Sequence, residues 1–437
     1  MPALVQLNAI SSQVFPGIGR SPVPVLLPFD TASYLEARQN GVPDSLSVSR
    51  YQADFRPADL FHAGPAGYDA MFAFEPGAGD GMPPRTYAKP VEVQITGSIL
   101  TYDLADPLAG KGEPVKALTA QFPDLRRFIR EGYLRYAFTR FGVPYVVSIQ
   151  CLDSTPRARR LACREAYPVA ERFLKALRIA GGQPSQPRRD ISSEIAERPT
   201  VPSPDFIYRP SGEIVANSGA RRHGGRVDLT TYSQIRFPLE KAPAFARSQS
   251  FGRRKPDERG YPWQDNFCEA RSFEVGQCAA GFGHQGQDIR PGACSLLNSE
   301  SPGSCDPKQQ AATLQVNTRN EHIRFRYMHM NPNSMDADGI LNGRQVAEGE
   351  KIGVASNYLD HPNGTSLHLH FDVQVFTRDG WIWVNPYTTL ISAYERQLRG
   401  RGRELGTDPV APSTVAHVRP DDVFRPDPQE GSEGGDN

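Results

Sequence analysis

Hydrophobic and polar positions alternate most regularly over Ser366 to Phe376. Leu367, Leu369, Phe371, Val373 and Val375 take one parity, and His368, His370, Asp372 and Gln374 take the other. A period of two predicts a two-faced strand. With its apolar face buried, the spacing predicts His368 and His370 side by side on the opposite face, sharing a cleft. Ile323 to Met330 repeats the pattern, with Ile323, Phe325, Tyr327 and His329 on one parity. It predicts the second arm of a hairpin whose first arm is Thr313 to Val316, with the turn near Thr318, Arg319 and Asn320. His329 then ends an apolar face, where such a side chain is either hydrogen-bonded in the core or emerging into a cleft.

In the first half, Val91 to Tyr102 is rich in β-branched residues and Val143 to Ile149 is an apolar run, so both predict strands. Pro123 to Glu131 and Pro168 to Ile179 predict helices. Each opens on a proline, as a first helical turn prefers, and Phe128, Ile129, Phe173, Leu174 and Leu177 supply apolar stripes. These elements make an α+β domain over 46–180. It carries no nucleotide loop, catalytic pairing or repeat, so scaffold and substrate-binding module both stand. Residues 1–45, rich in Pro, Ser and Gly, predict an extended N-terminal arm. Residues 181–232 read as a Pro-rich linker, 233–399 as a second domain, and 400–437 as a disordered tail too polar to bury a core.

Composition narrows the classes. A chain of 437 residues exceeds what one hydrophobic core serves, so two folded units are expected. Lys plus Arg and Asp plus Glu are equal at 49, which predicts no bulk attraction to nucleic acid or an anionic membrane surface. No run of apolar residues is long enough for a transmembrane segment. The six cysteines form three local pairs: Cys151 with Cys163, Cys268 with Cys278, and Cys294 with Cys305. Disulfides in an oxidising compartment are the better reading, and six unrelated buried thiols the alternative. Export is therefore expected, to the periplasm or the extracellular space. No signal peptide is visible, because Met1 to Phe15 lacks a basic start and an unbroken apolar stretch.

Candidate chemistry gathers in the second half. Gly281-Phe-Gly-His284-Gln-Gly-Gln-Asp288 sets a histidine and a carboxylate four positions apart among glycines, which predicts a strand-edge loop able to aim both at one ion. Taken alone, that segment also reads as an ordinary surface turn. His, His and Asp suit zinc, and three protein ligands leave a fourth tetrahedral position for water. His62, His223, His322, His361 and His417 have no partner pattern and read as exposed or structural, His361 alone being near the other motifs.

Taken in order, these segments resemble the lysostaphin-type, or LytM-like, zinc metallopeptidase family over about Gln234 to Leu390. Ser250-Phe-Gly-Arg-Arg254 is similar to the family's opening Phe-Gly-x-Arg, and His284-x-Gly-x-Asp288 to its first metal motif. Tyr327-Met-His329, Gly349-Glu-Lys-Ile-Gly353 and His368-Leu-His370 are similar to its Tyr-x-His, Gly-Asp-x-Ile-Gly and His-x-His. The resemblance implies a mainly antiparallel β-sheet metallopeptidase domain of the duplicated-hybrid-motif type, preceded by a smaller α+β domain. It implies one Zn2+ held by His284, Asp288 and His370, with His368 as base and His329 as transition-state stabiliser. It further implies an endopeptidase acting on peptidoglycan peptides of the bacterial cell wall, in the stem or cross-bridge. A non-catalytic regulator of wall hydrolases, or the same chemistry on a Gly-rich protein, is the alternative. Two stretches depart from the family: Pro291 to Asp306 shows little strand character, and an insertion between Arg254 and His284 holds Cys268 and Cys278.

Overall fold

The computed structural model describes residues 4–41, 45–76, 81–83, 86–87, 89–102, 108–151, 159–184, 189–190, 235–239, 244–246, 265–291, 312–318, 321–330, 332–341, 343–347, 349–358 and 368–387, with a few single positions besides. The chain divides into two compact units. The first is Met1–Ile191 with Gln315–Ile323 and Val375–Ile382, and the second is Ser192–Leu314, Arg324–Gln374 and Trp383–Asn437. Most of the expected linker (185–188 and 191–232), the tail, Cys294 with Cys305, the Phe251 motif, His223, His361 and His417 lie outside the described residues, whereas 181–182 and 189–190 are strand rather than linker.

The first unit begins with α1 (Leu4–Ser11), β1 (Pro24–Leu27) and α2 (Thr31–Gln39). An extended arm was expected there, but these residues are folded into the unit. Phe15 is buried against Phe29 and Phe61, and the Asn8 side chain bonds both the N–H and the C=O of Gly182. Asp30 caps α2 by accepting from the Ser33 N–H at 3.1 Å.

Next come β2 (Arg56–Ala63), β3 (Gly67–Phe74), β4 (Val91–Ser98), β5 (Leu100–Thr101), β6 (Glu113–Pro114), β7 (Arg126–Arg130), β8 (Tyr133–Arg140) and β9 (Val143–Gln150). Seven of these form an antiparallel sheet in the order β2-β3-β4-β9-β8-β7-β6. The helix expected over Pro123 to Glu131 is thus strand β7, and the turns explain why. Glu131 and Gly132 have φ of 53° and 76° between paired Arg130 and Tyr133, and Phe141 and Gly142 have 55° and 73° between Arg140 and Val143. Two left-handed residues make the tight hairpin loop whose twist suits antiparallel strands, so pairing with β8 overrides the apolar spacing of Phe128 and Ile129. The expected strands at Val91 and Val143 are present as β4 and β9.

Helix α3 (Tyr167–Ala176) carries its proline in the first turn as expected, and the chain leaves it for β10 (Arg178–Gly182), which pairs with β1. Phe173 packs on Phe55 and Phe72 of the sheet at ring separations of 5.0 and 5.5 Å, and the Cys151–Cys163 disulfide ties the end of β9 to the approach to α3. A short parallel bridge joins β11 (Arg189–Asp190) to β5.

The six remaining strands form one sheet. They are β12 (Ala244–Ala246), β13 (Gln287–Pro291), β14 (Ala312–Asn317), β15 (His322–Met328), β16 (Leu369–Thr377) and β17 (Gly380–Val384). The order is β12-β13-β16-β15-β14, with β17 pairing to β16, and one short helix, α4 (Pro332–Ala337), follows β15. The hairpin expected from the alternation around Val316 and Ile323 is β14–β15. The architecture is therefore α+β with mostly antiparallel sheets.

Two late segments belong to the first unit, and buried polar groups account for it. His322 is fully buried, with Nδ1 2.8 Å from Ser98 Oγ and Nε2 2.7 Å from Asp69 Oδ2. Asp69 Oδ1 also accepts from Thr96, which in turn accepts from the Trp381 indole. A buried charge persists only when paired, so this network fixes where 315–323 and 375–382 pack.

Candidate metal centre

Three chain segments of the second unit build the centre. The first is the loop entering β13. Gly281 has φ 75°, and a Cβ on Gly283 would come within 2.7 Å of Cys268 Cα. Those glycines let the chain press against the loop closed by the Cys268–Cys278 disulfide, where His284 donates its N–H to Glu269 O and accepts from Cys268 N–H, each at 2.8 Å. His284 enters the site from this braced backbone. Asp288 follows on β13, directly opposite His370 of β16 in the ladder.

The second segment is β16 with the residue before it. His368 makes an isolated bridge to Ser356, and His370 lies one residue inside the strand. The alternation placed both histidines on one face, but the expected open face is absent: every residue of β16 is buried, as are His368 and His370. The third segment is His329, immediately after β15 with φ 58°. That left-handed residue turns the chain, and Ser356 N–H bonds its carbonyl at 2.6 Å. Among the described residues, His284, Asp288 and His370 form a buried group that can hold a metal ion.

Hydrogen-bond partners assign the ring nitrogens. His284 Nδ1 lies 2.9 Å from the Asn266 carbonyl, which only accepts, so Nδ1 carries a hydrogen and Nε2 is the nitrogen turned to the site. That Nε2 is 2.9 Å from His370 Nδ1, and Asp288 Oδ1 is 3.2 Å from each of them. Ligand atoms at the usual zinc bond lengths around a tetrahedral ion are about 3.3 Å apart, so the donor set fits such an ion. His368 Nε2 is 3.4 Å from the same carboxylate oxygen, and the His329 and His368 rings are 4.6 Å apart.

Electrostatics follow from this crowding. Burial works to raise the Asp288 carboxyl, but the His284 and His368 imidazoles beside it outweigh burial and hold it well below the usual carboxylate range. Burial, together with the neighbouring His368 and His370 rings, pushes His329 down to about 3. His329 is therefore neutral near pH 7. Its Nδ1 meets the Tyr358 carbonyl at 2.7 Å, which places the hydrogen on Nδ1 and leaves the Nε2 lone pair to accept.

All five residues singled out in the sequence thus come together. Asp372 was missed: it bonds His370 from behind the site, and only its parity with His370 on the strand hinted at it. Asn266 was missed as well, since a backbone carbonyl leaves no trace in side-chain pattern. Of the other histidines, His322 is buried in the first unit and His62 is half-buried on β2. Compared with protein-family models, curated proteins and solved structures, the chain matches none.

Proposed function

We propose that this chain is an exported, zinc-dependent endopeptidase of the lysostaphin type, hydrolysing peptide bonds of bacterial peptidoglycan. The observation that carries the proposal is the convergence of His284 Nε2, His370 Nδ1 and Asp288 Oδ1 on one point, with His368 and His329 alongside. Two imidazole nitrogens 2.9 Å apart, with one carboxylate oxygen 3.2 Å from each, surround a point suited to a cation. Two imidazoles and one carboxylate suit zinc, and a three-residue set leaves a position for water.

Held by His284, Asp288 and His370, zinc would supply Lewis acidity toward a peptide carbonyl and toward water near neutral pH. This chain's residues do the rest. His368, at the edge of the cluster, is placed to take the proton of the attacking water and return it to the leaving amine. His329, neutral and with its Nε2 lone pair exposed to the site, accepts a hydrogen bond that orients that water or a substrate N–H. Asp288 stays ionised, so a cation is bound by charge as well as by lone pairs. The disulfide-braced loop keeps His284 in place, and the two disulfides among the described residues fit an oxidising compartment, periplasmic or extracellular. No described helix is long and apolar enough to cross a membrane.

The test is mass spectrometry of soluble products after incubating the full chain with intact peptidoglycan, with and without a zinc chelator. New peptide termini that disappear with chelator are expected. Bound zinc without products would sink the peptidoglycan reading and favour a regulator of wall hydrolases or a Gly-rich protein substrate.

A further inference from the structure

Asp372 follows His370 by two residues on β16, so both side chains leave the strand on the same side. Its carboxylate is fully buried and ringed by donors. Arg326 approaches Oδ2 with Nε at 2.7 Å and Nη2 at 2.6 Å, the Trp383 indole N–H reaches Oδ1 at 3.2 Å, and His370 Nε2 faces Oδ2 at 3.2 Å. Arginine and tryptophan can only donate. Asp372 is therefore an acceptor on both oxygens, and His370 Nε2 must be the N–H that meets it. With Nε2 so engaged, Nδ1 is the nitrogen of His370 that faces His284 Nε2 and Asp288 Oδ1 and can give its lone pair to a cation there.

From this the geometry points to Asp372 as the positioning residue of the metal centre: it fixes the tautomer and ring orientation of His370, so that Nδ1 is the metal-binding atom. The inference deepens the proposed function and rests on the reading that the cluster binds a divalent cation. Arg326 and Trp383 complete the device by holding the carboxylate from two sides, the guanidinium carbon standing 5.3 Å from the Trp383 ring centre. A purely structural Arg326–Asp372 pair would be indifferent to which nitrogen of His370 carries hydrogen. Here the oxygen shared with Arg326 is the one that faces the ring, so the pair's orientation sets the ligand atom. An asparagine cannot substitute, because one of its two terminal atoms becomes a donor that must point at Trp383, Arg326 or His370, all donors already.

The experiment is long-range proton–nitrogen NMR of the nitrogen-15-labelled full chain, metal-free and loaded with zinc, together with zinc affinity from competition with a chromophoric chelator. With zinc bound, His370 is expected to carry its hydrogen on Nε2 alone and to ligate through Nδ1. Asp372→Asn is expected to lose that single tautomer and to weaken zinc binding by about ten- to a hundredfold, whereas Trp383→Phe keeps the carboxylate, the tautomer and most of the affinity. Zinc bound through Nε2 of His370 in the wild type, or Asp372→Asn with unchanged tautomer and affinity, would overturn the inference while leaving the metal reading intact. If Asp372→Asn does not fold, the wild-type spectra decide. A wild type that takes up no zinc would bring down the metal reading, and this inference with it.

Discussion

Replacing Gly286 with alanine tests how tightly the backbone closes around the centre. An added Cβ would lie 2.4 Å from the Phe371 carbonyl oxygen, 2.8 Å from Asp372 Cβ and 3.0 Å from His370 Nε2. The nearest atom belongs to the backbone of β16, whose Phe371 is paired with Gln287 of β13, so it cannot swing aside as a side-chain end would. Relief must come from parting β13 and β16, and Asp288 and His370 are the next pair in that ladder. Overpacking of this kind costs about 1–3 kcal/mol. Borne by the Asp288–His370 pair, it weakens zinc binding by about 5- to 140-fold. Gly281→Ala is the contrast: nothing lies within 4 Å of its Cβ position, but its φ of +75° is left-handed. That variant should lose about 1–2 kcal/mol of stability and keep its zinc affinity. Chelator competition and urea unfolding read both quantities. Gly286→Ala with wild-type affinity and wild-type stability would refute the packing argument.

Asp288→Ala should abolish zinc uptake, whereas His368→Ala should retain the metal and lose turnover on peptidoglycan; a fully active His368→Ala protein would remove the role assigned to it. In the first unit, His322→Leu leaves the buried Asp69 carboxylate without its imidazole partner and should cost about 3–5 kcal/mol. The double variant His322→Leu, Asp69→Leu should recover part of that loss, and a double variant worse than the sum of the singles would count against the pairing. Asp30→Ala removes the cap of α2 and should cost about 1 kcal/mol in urea unfolding. Burial works to raise the Asp30 carboxyl, but hydrogen bonds from Ser33 prevail and its pKa is lowered in the folded chain. Its ionised form therefore contributes fully above the unfolded value of about 3.9, and the contribution is lost as pH falls through the lower folded value. The gap between wild type and Asp30→Ala should narrow in strong acid, and a gap that widened there would contradict the sign.

The site was legible where chemistry and backbone period coincide. His368 and His370 share a parity, His284 and Asp288 sit among glycines that press backbone on backbone, and His329 ends an alternating strand. What the period could not show is burial on both faces of β16, because a strand with histidine, aspartate and glutamine on one face reads as half-exposed until their partners are known. Asp372 belongs to that group: its partners Arg326 and Trp383 lie on other strands. The Asp69–His322 pair was hidden for the same reason, its members being 253 residues apart. Strand β7 was misread as a helix because Phe128 and Ile129 fit either period, and the deciding signal was the pair of residue-glycine turns, Glu131-Gly132 and Phe141-Gly142, that flank β8.

The account stands on His284, Asp288 and His370 holding one zinc, and metal content with X-ray absorption at the zinc edge on the full chain measures that directly. One zinc per chain, bound by two imidazoles and light oxygen donors and lost in Asp288→Ala, is the predicted result. A chain that takes up no zinc when supplied with it, or that keeps zinc unchanged in Asp288→Ala, would contradict the account at its base.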